Sequence, residues 1–412
     1  MKYGVLGKNL VHSYSPHIHH LLGNEGYTFF EREPDQLQKL FNDPDIGGLN
    51  VTIPYKVRAL EVCTICDETA ERIGCVNTMV RKNGDWHGYN TDYDGFNYTV
   101  KHANIDVTRK QCLILGDGAS SQTVHIALED LGASEIIHIS RNAYPYYKNI
   151  KDFYDTADII INTTPVGMYP NCPDLLIDLT NFKHLSGIID LIYNPHRTNL
   201  LIQAERLHIP NCDGLPFLIT QAVISANHFM EENFGNSHII DILHTIREES
   251  ENIILVGMPG VGKTTVGKEL ARVTGRPFYD IDTELTAEIG IISEFIEKHG
   301  EKEFRAAESA MIERLGKERG IIISTGGGCV TIAENFAPLR QNGRIYQITQ
   351  PVENLSTEGR PLSKGGIDRL IELEKVRTSM YQAFAQSIID HHQDAPNTVA
   401  RILEDFNSHL SK

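Results

Sequence analysis

The sequence predicts an α/β protein built on parallel sheets with helices packed over them. Three observations carry that expectation. Short apolar runs of strand type alternate with helix-like segments along the chain, the order that βαβ units impose. Two of these runs, 112–115 and 253–256, open directly into a glycine-rich turn and then a helical pattern, which is how a parallel strand feeds a phosphate-holding helix N-terminus. The chain has 412 residues, more than the roughly 100–200 of a single domain, and its halves do not repeat one another. Two unrelated α/β units joined end to end are expected.

The elements follow in order. The first block, 1–104, alternates an apolar run at 3–6, a helix starting at Pro16, and runs at 27–32 and 48–53. A proline suits a first helical turn, whose N–H groups lack partners in any case. The second block, 105–234, has a strand at 112–115, a turn at Gly116, and a helical pattern over 122–131 that Gly132 ends. Further parallel strands are expected at 136–139, 159–161 and 188–191. A helix at about 215–234 is expected to return to the first block and close a cleft. The segment 235–251 is read as a polar, helix-rich linker from its charge run Arg247-Glu-Glu-Ser-Glu251. The third block, 252–412, opens with the strand 253–256.

Composition narrows the chemistry. A net charge of −16 provides no basic face for nucleic acid and repels anionic membranes. Small anionic substrates remain open, because a pocket can hold a few local cations. No apolar stretch is long enough to span a bilayer and no secretory signal is visible, so a cytoplasmic location is expected. Seven scattered cysteines suit reduced thiols. Cys63 and Cys66 form a CxxC, but no second pair completes a zinc site. His17, His19 and His20 are read as lying on an exposed helix. Oligomeric state is not legible.

The strongest local motif is Gly257-Met-Pro-Gly260-Val-Gly262-Lys263-Thr264, a phosphate loop complete at every fixed position and set between strand and helix. Its glycines let backbone N–H groups curl round phosphate oxygens, with Thr265 beside them at the helix start. Lys263 brings a point charge to the β- and γ-phosphates, and the Thr264 hydroxyl suits Mg²⁺. ATP and Mg²⁺ are the implied cofactors. Asp280 and Asp282 alternate at the end of a strand-like run, which would put both carboxylates on one side of a strand. Then come Gly300-Glu-Lys-Glu-Phe304-Arg305, the turn Gly326-Gly327-Gly328, Gly359-Arg360-Pro361-Leu362, and Arg377 with Tyr381 one helical turn apart.

In this order the motifs resemble shikimate kinase, over 253 to about 390. The resemblance implies a P-loop kinase domain with a parallel sheet. It implies that Asp282, Arg305 and the turn Gly326, Gly327, Gly328 bind shikimate, and that Arg377 holds its carboxylate. Asp280 would help to place Mg²⁺, and Arg360 would ride on a lid over the phosphates. The chemistry is consistent: a guanidinium fork matches a carboxylate, a cationic lid stabilises charge developing in phosphoryl transfer, and Asp282 can orient or deprotonate the attacking hydroxyl.

Three segments stand out in the first block: His12-Ser13-Tyr14-Ser15-Pro16, Asn50-Val51-Thr52-Ile53-Pro54-Tyr55-Lys56 and Asn90-Thr91-Asp92. Singly, Ser and Asn cap helices and turns, and a lone Lys is usually a surface ammonium. Together, and with Val76-Asn77-Thr78, they resemble shikimate dehydrogenase, over 1 to about 234. The resemblance implies that Ser13, Ser15, Thr52, Asn77, Asp92, Tyr193 and Gln221 line the substrate site and that Lys56 and Asp92 form the catalytic pair. Hydride delivery to a ketone leaves an oxygen in need of a proton, which a Lys steered by an Asp can donate.

The second block implies a Rossmann-type domain for the hydride carrier. Gly116-Asp-Gly118-Ala119-Ser120-Ser121 reads as a variant dinucleotide turn. The next strand ends at Ser140-Arg141 instead of an acidic residue, which suits a 2′-phosphate and hence NADPH. Asn162-Thr163, Asp190 to Pro195, and Gly214 match segments lining the nicotinamide side. Two departures stand out: Tyr93 follows Asp92 where many relatives have glycine, and Ala119 stands where the family usually has glycine. The two implied reactions are consecutive, since the hydroxyl made by the first is the one phosphorylated by the second. The residues leave open a quinate-type specificity for the first half, another small hydroxy acid for the second, and a half that binds without turnover.

Overall fold

The computed structural model describes residues 1–8, 10, 13–170, 172, 174–356, 366–391 and 394–410. The chain divides into two compact units, Met1–Leu243 and His244–Lys412.

The first unit holds two sheets. The first sheet comprises β1 (Lys2–Gly7), β2 (Tyr27–Glu31), β3 (Ile46–Val51), β4 (Ile65–Cys66), β5 (Thr78–Lys82) and β6 (Asp85–Tyr89), in the order β2-β1-β3-β5-β6-β4. Its helices are α1 (Ser15–Leu21), α2 (Leu37–Phe41), α3 (Lys56–Val62) and α4 (Glu68–Ile73). β1, β2 and β3 run parallel, while β5 runs antiparallel to both β3 and β6. The antiparallel hairpin departs from the expected pattern. Its turn, Asn83-Gly84, has positive φ at both residues (54° and 94°), the requirement of the tight hairpin turns that match strand twist. One consequence positions the site. The carboxyl ends of β1, β3 and β6 and the start of β5 all reach the same edge of the sheet. All six residues of β3 are buried, and Leu49, Val76, Met79 and Trp86 sit in the core beneath it.

The second sheet is wholly parallel, as expected: β7 (Gln111–Leu115), β8 (Glu135–Ile139), β9 (Ile159–Asn162), β10 (Gly187–Asp190) and β11 (Asn211–Cys212), in the order β11-β10-β9-β7-β8. The chain order reverses between β7 and β9, which opens a crevice at the carboxyl edge. α5 (Thr91–His102) leads in from the first sheet, α6 (Ala119–Asp130) and α7 (Asn199–Arg206) flank the second, and α8 (Leu215–Met230) leads back. The return is tight. A Cβ on Gly95 of α5 would stand 2.9 Å from the Phe217 carbonyl of α8, and one on Gly48 of β3 would meet the Phe229 ring at 2.5 Å.

α9 (Asn236–Ser250) runs across the division between the units, so the segment read as linker is almost all helix. Its end belongs to the second unit, where Arg276 donates to the Glu251 carbonyl at 2.6 Å and stacks on Phe406 at 5.0 Å. The third sheet is also parallel: β12 (Asn252–Val256), β13 (Phe278–Asp280), β14 (Ile322–Ser324), β15 (Gly343–Thr349) and β16 (Ser387–Asp390), in the order β13-β14-β12-β15-β16. Around it lie α10 (Lys263–Thr274), α11 (Ile281–Ile289), α12 (Ile292–His299), α13 (Glu301–Gly316), α14 (Phe336–Gln341), α15 (Gly366–Phe384) and α16 (Ala395–Leu410). Among the described residues no helix is long and apolar enough to cross a membrane.

Two predictions follow from burial. Leu49 is fully buried, so Leu49→Ala should lower the unfolding free energy by about 3 kcal/mol. Urea unfolding followed by the emission of Trp86, the one tryptophan of the chain, checks this; an unchanged midpoint contradicts it. Asp190 is fully buried, accepting from the Thr198 hydroxyl at 2.7 Å, the Asn162 amide at 3.0 Å and the Ile192 N–H at 3.1 Å. Burial outweighs these bonds and raises its pKa from 3.8 to about 7. The folded state therefore holds this proton more tightly than the unfolded chain. The stabilisation is full below 3.8 and is lost as pH rises toward 7, by about 1.4 kcal/mol per pH unit. Unfolding at pH 5 and pH 7 should show this slope in the wild type and not in Asp190→Asn. Equal slopes contradict it.

Candidate active sites

The edge shared by β1, β3, β5 and β6 carries the first site. Lys56 is the first residue of α3, just beyond β3, and Asp92 lies in the first turn of α5, just beyond β6. Their side chains are 9% and 5% exposed, with Lys56 Nζ 2.5 Å from Asp92 Oδ2. Burial opposes the ammonium charge, but the attraction and hydrogen bond of Asp92 prevail and raise the Lys56 pKa above its usual value. Asn77, at the start of the antiparallel strand, holds the other carboxylate oxygen: its Nδ2 donates to Asp92 Oδ1 at 2.9 Å. The orientation of that amide is fixed, because the Thr91 backbone N–H can only donate and lies 2.8 Å from Asn77 Oδ1.

The other expected residues make contacts of their own. Ser13 and Ser15 are hydrogen-bonded to each other at 3.1 Å, and Ser15 opens α1 with Pro16. The Tyr193 ring packs on Tyr14 at 5.7 Å, bringing the loop after β10 to the serine segment. Thr52 follows β3 and leaves no room for a side chain at Gly7, where a Cβ would be 2.5 Å away. Gln221 packs on Gly95, one helical turn beyond Asp92, and donates to the Leu218 carbonyl of its own helix.

One reading changes. His19 is not on an exposed face: it is fully buried, stacked on Tyr27 at 3.8 Å, with its pKa lowered to about 3 by burial. Its spacing of four from Ser15 marks the buried face of α1. The Tyr93 hydroxyl donates to Asp130 on α6 at 2.7 Å, beside Arg72, which grips the same carboxylate with two bonds. Sequence reasoning missed Ser225, four residues from Gln221 on α8, which bonds the Gln221 carbonyl at 2.7 Å.

At the carboxyl edge of the second sheet, Gly116 has φ 123° and a Cβ there would stand 2.5 Å from Thr163 Oγ1. Gly118 caps α6, and a Cβ on it would meet nothing within 4 Å among the described residues. Open space beside Gly118, at the N-terminus of α6 where Ala119 and Ser120 lie, makes a cradle that suits a pyrophosphate. Ser121 fills the place of a third glycine and donates back to the Gly118 carbonyl at 2.6 Å. Ser140 is buried and accepts from the backbone of Asn142 and Ala143 at 3.1 and 3.0 Å, so it shapes the turn, while Arg141 beside it is exposed. Asn162 and Thr163 end β9, with Asn162 tied to Asp190. Gly214 lies so close to Leu191 that a Cβ would be 2.1 Å from its carbonyl.

In the second unit the phosphate loop follows β12. Gly257, Gly260 and Gly262 have φ of 148°, 89° and 92°, a conformation only glycine adopts freely. Lys263 is buried, its Nζ donating to the carbonyls of Gly257 and Met258 at 2.8 and 3.0 Å. Thr264 Oγ1 donates to Asp280 Oδ2 at 2.7 Å; this hydroxyl and carboxylate form the hard-oxygen donor set that Mg²⁺ favours. Thr265 is exposed. The two aspartates do not alternate along a strand. Asp280 ends β13 and caps α11 by accepting from the Thr283 N–H at 3.2 Å, so Asp282 falls in the first helical turn.

Both still reach the site. A Cβ on Gly326 would stand 3.2 Å from Asp282 Oδ1 and 2.3 Å from Glu308 Oε1. One on Gly327 would press on Pro259 of the phosphate loop, and one on Gly328 on the Arg305 guanidinium. Arg305 is paired with Glu308 at 2.7 Å and Glu301 at 3.1 Å. Glu308, missed in the sequence although one helical turn from Arg305, is fully buried, and desolvation raises its pKa. Arg377 and Tyr381 both donate to the Gly327 carbonyl, at 3.0 and 2.5 Å. Arg360 lies outside the described residues. Cys63 and Cys66 crowd the same spot beside Gly88.

Comparison with known proteins finds relatives for both halves of the chain. The family model of the shikimate dehydrogenase substrate binding domain matches residues 5–79, and that of shikimate kinase matches 259–407. The shikimate dehydrogenase (NADP(+)) of Clostridium beijerinckii is 32% identical over 254 residues, 57% of this chain and 93% of that protein. That of Clostridium botulinum strain Hall is 36% identical over 239 residues, covering 53% and 92%. Shikimate dehydrogenase 1 of Peptoclostridium difficile superposes with a TM-score of 0.56 at 33% identity, over 60% of this chain and 98% of that one. A chorismate mutase/shikimate 5-dehydrogenase fusion from Clostridium acetobutylicum gives 0.56 at 31%, over 59% and 96%. The chain belongs to the shikimate dehydrogenase family and carries a shikimate kinase domain after it.

Proposed function

We propose that this chain reduces 3-dehydroshikimate to shikimate with NADPH and then phosphorylates shikimate with ATP to shikimate 3-phosphate. The observation that carries the reading is the presence of two intact sets of chemistry on one chain. One is the buried Lys56–Asp92 pair; the other is a phosphate-loop lysine beside a corner lined by Asp282, Arg305 and Arg377. The hydroxyl made at the first is the nucleophile at the second. The reading assigns 1–104, closed by the helix at 215–234, to the substrate domain and 105–234 to the NADP domain. It takes 235–251 as the connection and 252–412 as the kinase domain.

In the dehydrogenase, NADPH supplies the hydride when bound. Lys56, kept charged by Asp92, donates a proton to the substrate oxygen, and Asp92 steers the ammonium. Ser13, Ser15, Thr52, Asn77, Tyr193 and Gln221 hold the ring and its carboxylate. Gly116, Gly118, Ala119 and Ser120 receive the pyrophosphate, and Asn162, Thr163 and Gly214 flank the nicotinamide. Ser140 spends its oxygen on its own turn, which supports Arg141 as the direct 2′-phosphate contact.

In the kinase, ATP with Mg²⁺ supplies the phosphoryl group when bound. Gly257, Gly260, Gly262 and Thr265 would line the phosphates, Lys263 would bond them, and Thr264 and Asp280 would hold the metal. Asp282 orients the attacking hydroxyl, Gly326, Gly327 and Gly328 shape the acceptor corner, and Arg305 and Arg377 hold the carboxylate. Arg360 joins this set by its place in the RPL motif.

Protein supplied with 3-dehydroshikimate, NADPH, ATP and Mg²⁺ should yield shikimate 3-phosphate by mass. Lys56→Ala should lower NADPH oxidation by about 10²–10⁴-fold while added shikimate is still phosphorylated, and Lys263→Ala should do the reverse. NADPH oxidation unaffected by Lys56→Ala, or no phosphate from added shikimate, overturns the reading.

A further inference from the structure

Behind the Lys56–Asp92 pair a chain of buried polar groups that have no assigned part in the reaction leads to Asn77. It begins at His19 and passes through Asn50, Thr78, Ser225 and Thr91 to Asn77, drawing on α1, β3, β5, α8 and α5. The direction of its hydrogen bonds follows from the atoms that can act only one way. His19 is neutral in its dry site, so the Nε2 facing Asn50 Oδ1 at 3.2 Å carries the proton, and Tyr27 donates to the same oxygen at 2.7 Å. Asn50 Nδ2 then donates to Ser225 at 2.7 Å and Thr78 at 3.1 Å. The proton of Ser225 goes to the Gln221 carbonyl, which only accepts.

Toward the cluster, therefore, Ser225 acts only as an acceptor. It lies 2.8 Å from the Thr78 hydroxyl and 3.2 Å from that of Thr91. With one lone pair taken by Asn50, it receives one of the two hydroxyl protons, and the other goes to Asn77 Oδ1, 3.2 Å from Thr78 and 3.3 Å from Thr91. Either assignment leaves Asn77 Nδ2 facing Asp92 Oδ1. Thr78 and Ser225 have no exposed surface, so no water can replace a lost partner, and aligned bonds in a dry site reinforce one another.

We infer that Ser225 is a positioning residue for the dehydrogenase: from α8 it holds the hydroxyls of Thr78 and Thr91 in place, and with Thr91 the backbone N–H that fixes Asn77 on Asp92. This rests on the reading of Lys56 and Asp92 as the proton-transfer pair. Asp92 from α5 and Cys75 from the segment before β5 face the Lys56 ammonium. A loosened Asp92 leaves burial, which opposes the charge, to govern Lys56, so the ammonium is lost at lower pH.

The test is the pH dependence of kcat for 3-dehydroshikimate reduction in Ser225→Ala, with Thr78→Val as a second variant should the first not fold. Thr99→Ala is the control: it removes an equally buried hydroxyl of α5, bonded to the Gly95 carbonyl at 2.8 Å and outside the chain. Ser225→Ala should lower kcat about ten-fold, as small misplacements of catalytic groups do, with little change in KM, and should move the alkaline limb to lower pH. Thr99→Ala should leave the limb in place. A wild-type limb in Ser225→Ala, or an equal shift in Thr99→Ala, overturns the inference. Full NADPH oxidation in Lys56→Ala overturns instead the reading on which it rests.

Discussion

Lys56 and Asp92 meet at 2.5 Å in a place that water barely reaches. Each charge alone would cost several kcal/mol to bury there, and together they are tolerable only with close geometry and further hydrogen bonds. Much of the first unit can be understood as the means of meeting that condition. The two residues come from helices that follow different strands, β3 and β6, which run the same way because the antiparallel β5 lies between them. The inserted strand starts where its neighbours end, and so delivers Asn77 to the spare oxygen of Asp92. An all-parallel sheet would place the start of that strand at the opposite edge. α8 closes the arrangement from behind, tightly enough that only glycine fits at Gly48 and Gly95.

The second unit meets a different constraint: backbone must approach backbone closely around an anion. Glycines at the phosphate loop and at Gly326–Gly328 leave no space for a Cβ, so the two turns touch through Pro259 and Gly327. Arg305 and Glu308 are buried as a pair beside them, the guanidinium retained in its charged form by the carboxylate despite desolvation. The second sheet and this third one share a device with the first, since Gly116, the phosphate loop and Lys56 each follow the carboxyl end of a strand, where parallel strands leave a crevice.

The strands of the two parallel sheets were legible because each is a short apolar run bounded by glycine or a polar turn, and both glycine loops sit where strand gives way to helix. The site motifs were legible because they are local in sequence: Lys56 ends one segment, Asp92 another. Less legible was whatever depends on contacts between distant segments. The hairpin over β5 and β6 carries the sign Asn83-Gly84, but polar outward residues interrupt its apolar pattern. His19 lies in a histidine-rich stretch that resembles a solvated face, and only the packing of Tyr27 and Phe229 makes it buried. Asp280 and Asp282 have strand-like spacing, yet the carboxylate of Asp280 is a strong helix cap and starts α11 at Ile281. Ser225 bears no motif at all; its importance arises from four elements converging on one hydroxyl.

The central claim is that Lys56 stays charged because Asp92 outweighs burial. Direct titration of Lys56 by NMR, with lysine labelled at Cε and the resonance assigned by its loss in Lys56→Arg, tests this without turnover. The account predicts that the Lys56 signal titrates above the ordinary lysine value of 10.5 in the wild type, and below it in Asp92→Asn, where burial acts unopposed. A wild-type Lys56 that titrates below the ordinary value, or one that Asp92→Asn leaves unmoved, would contradict the account.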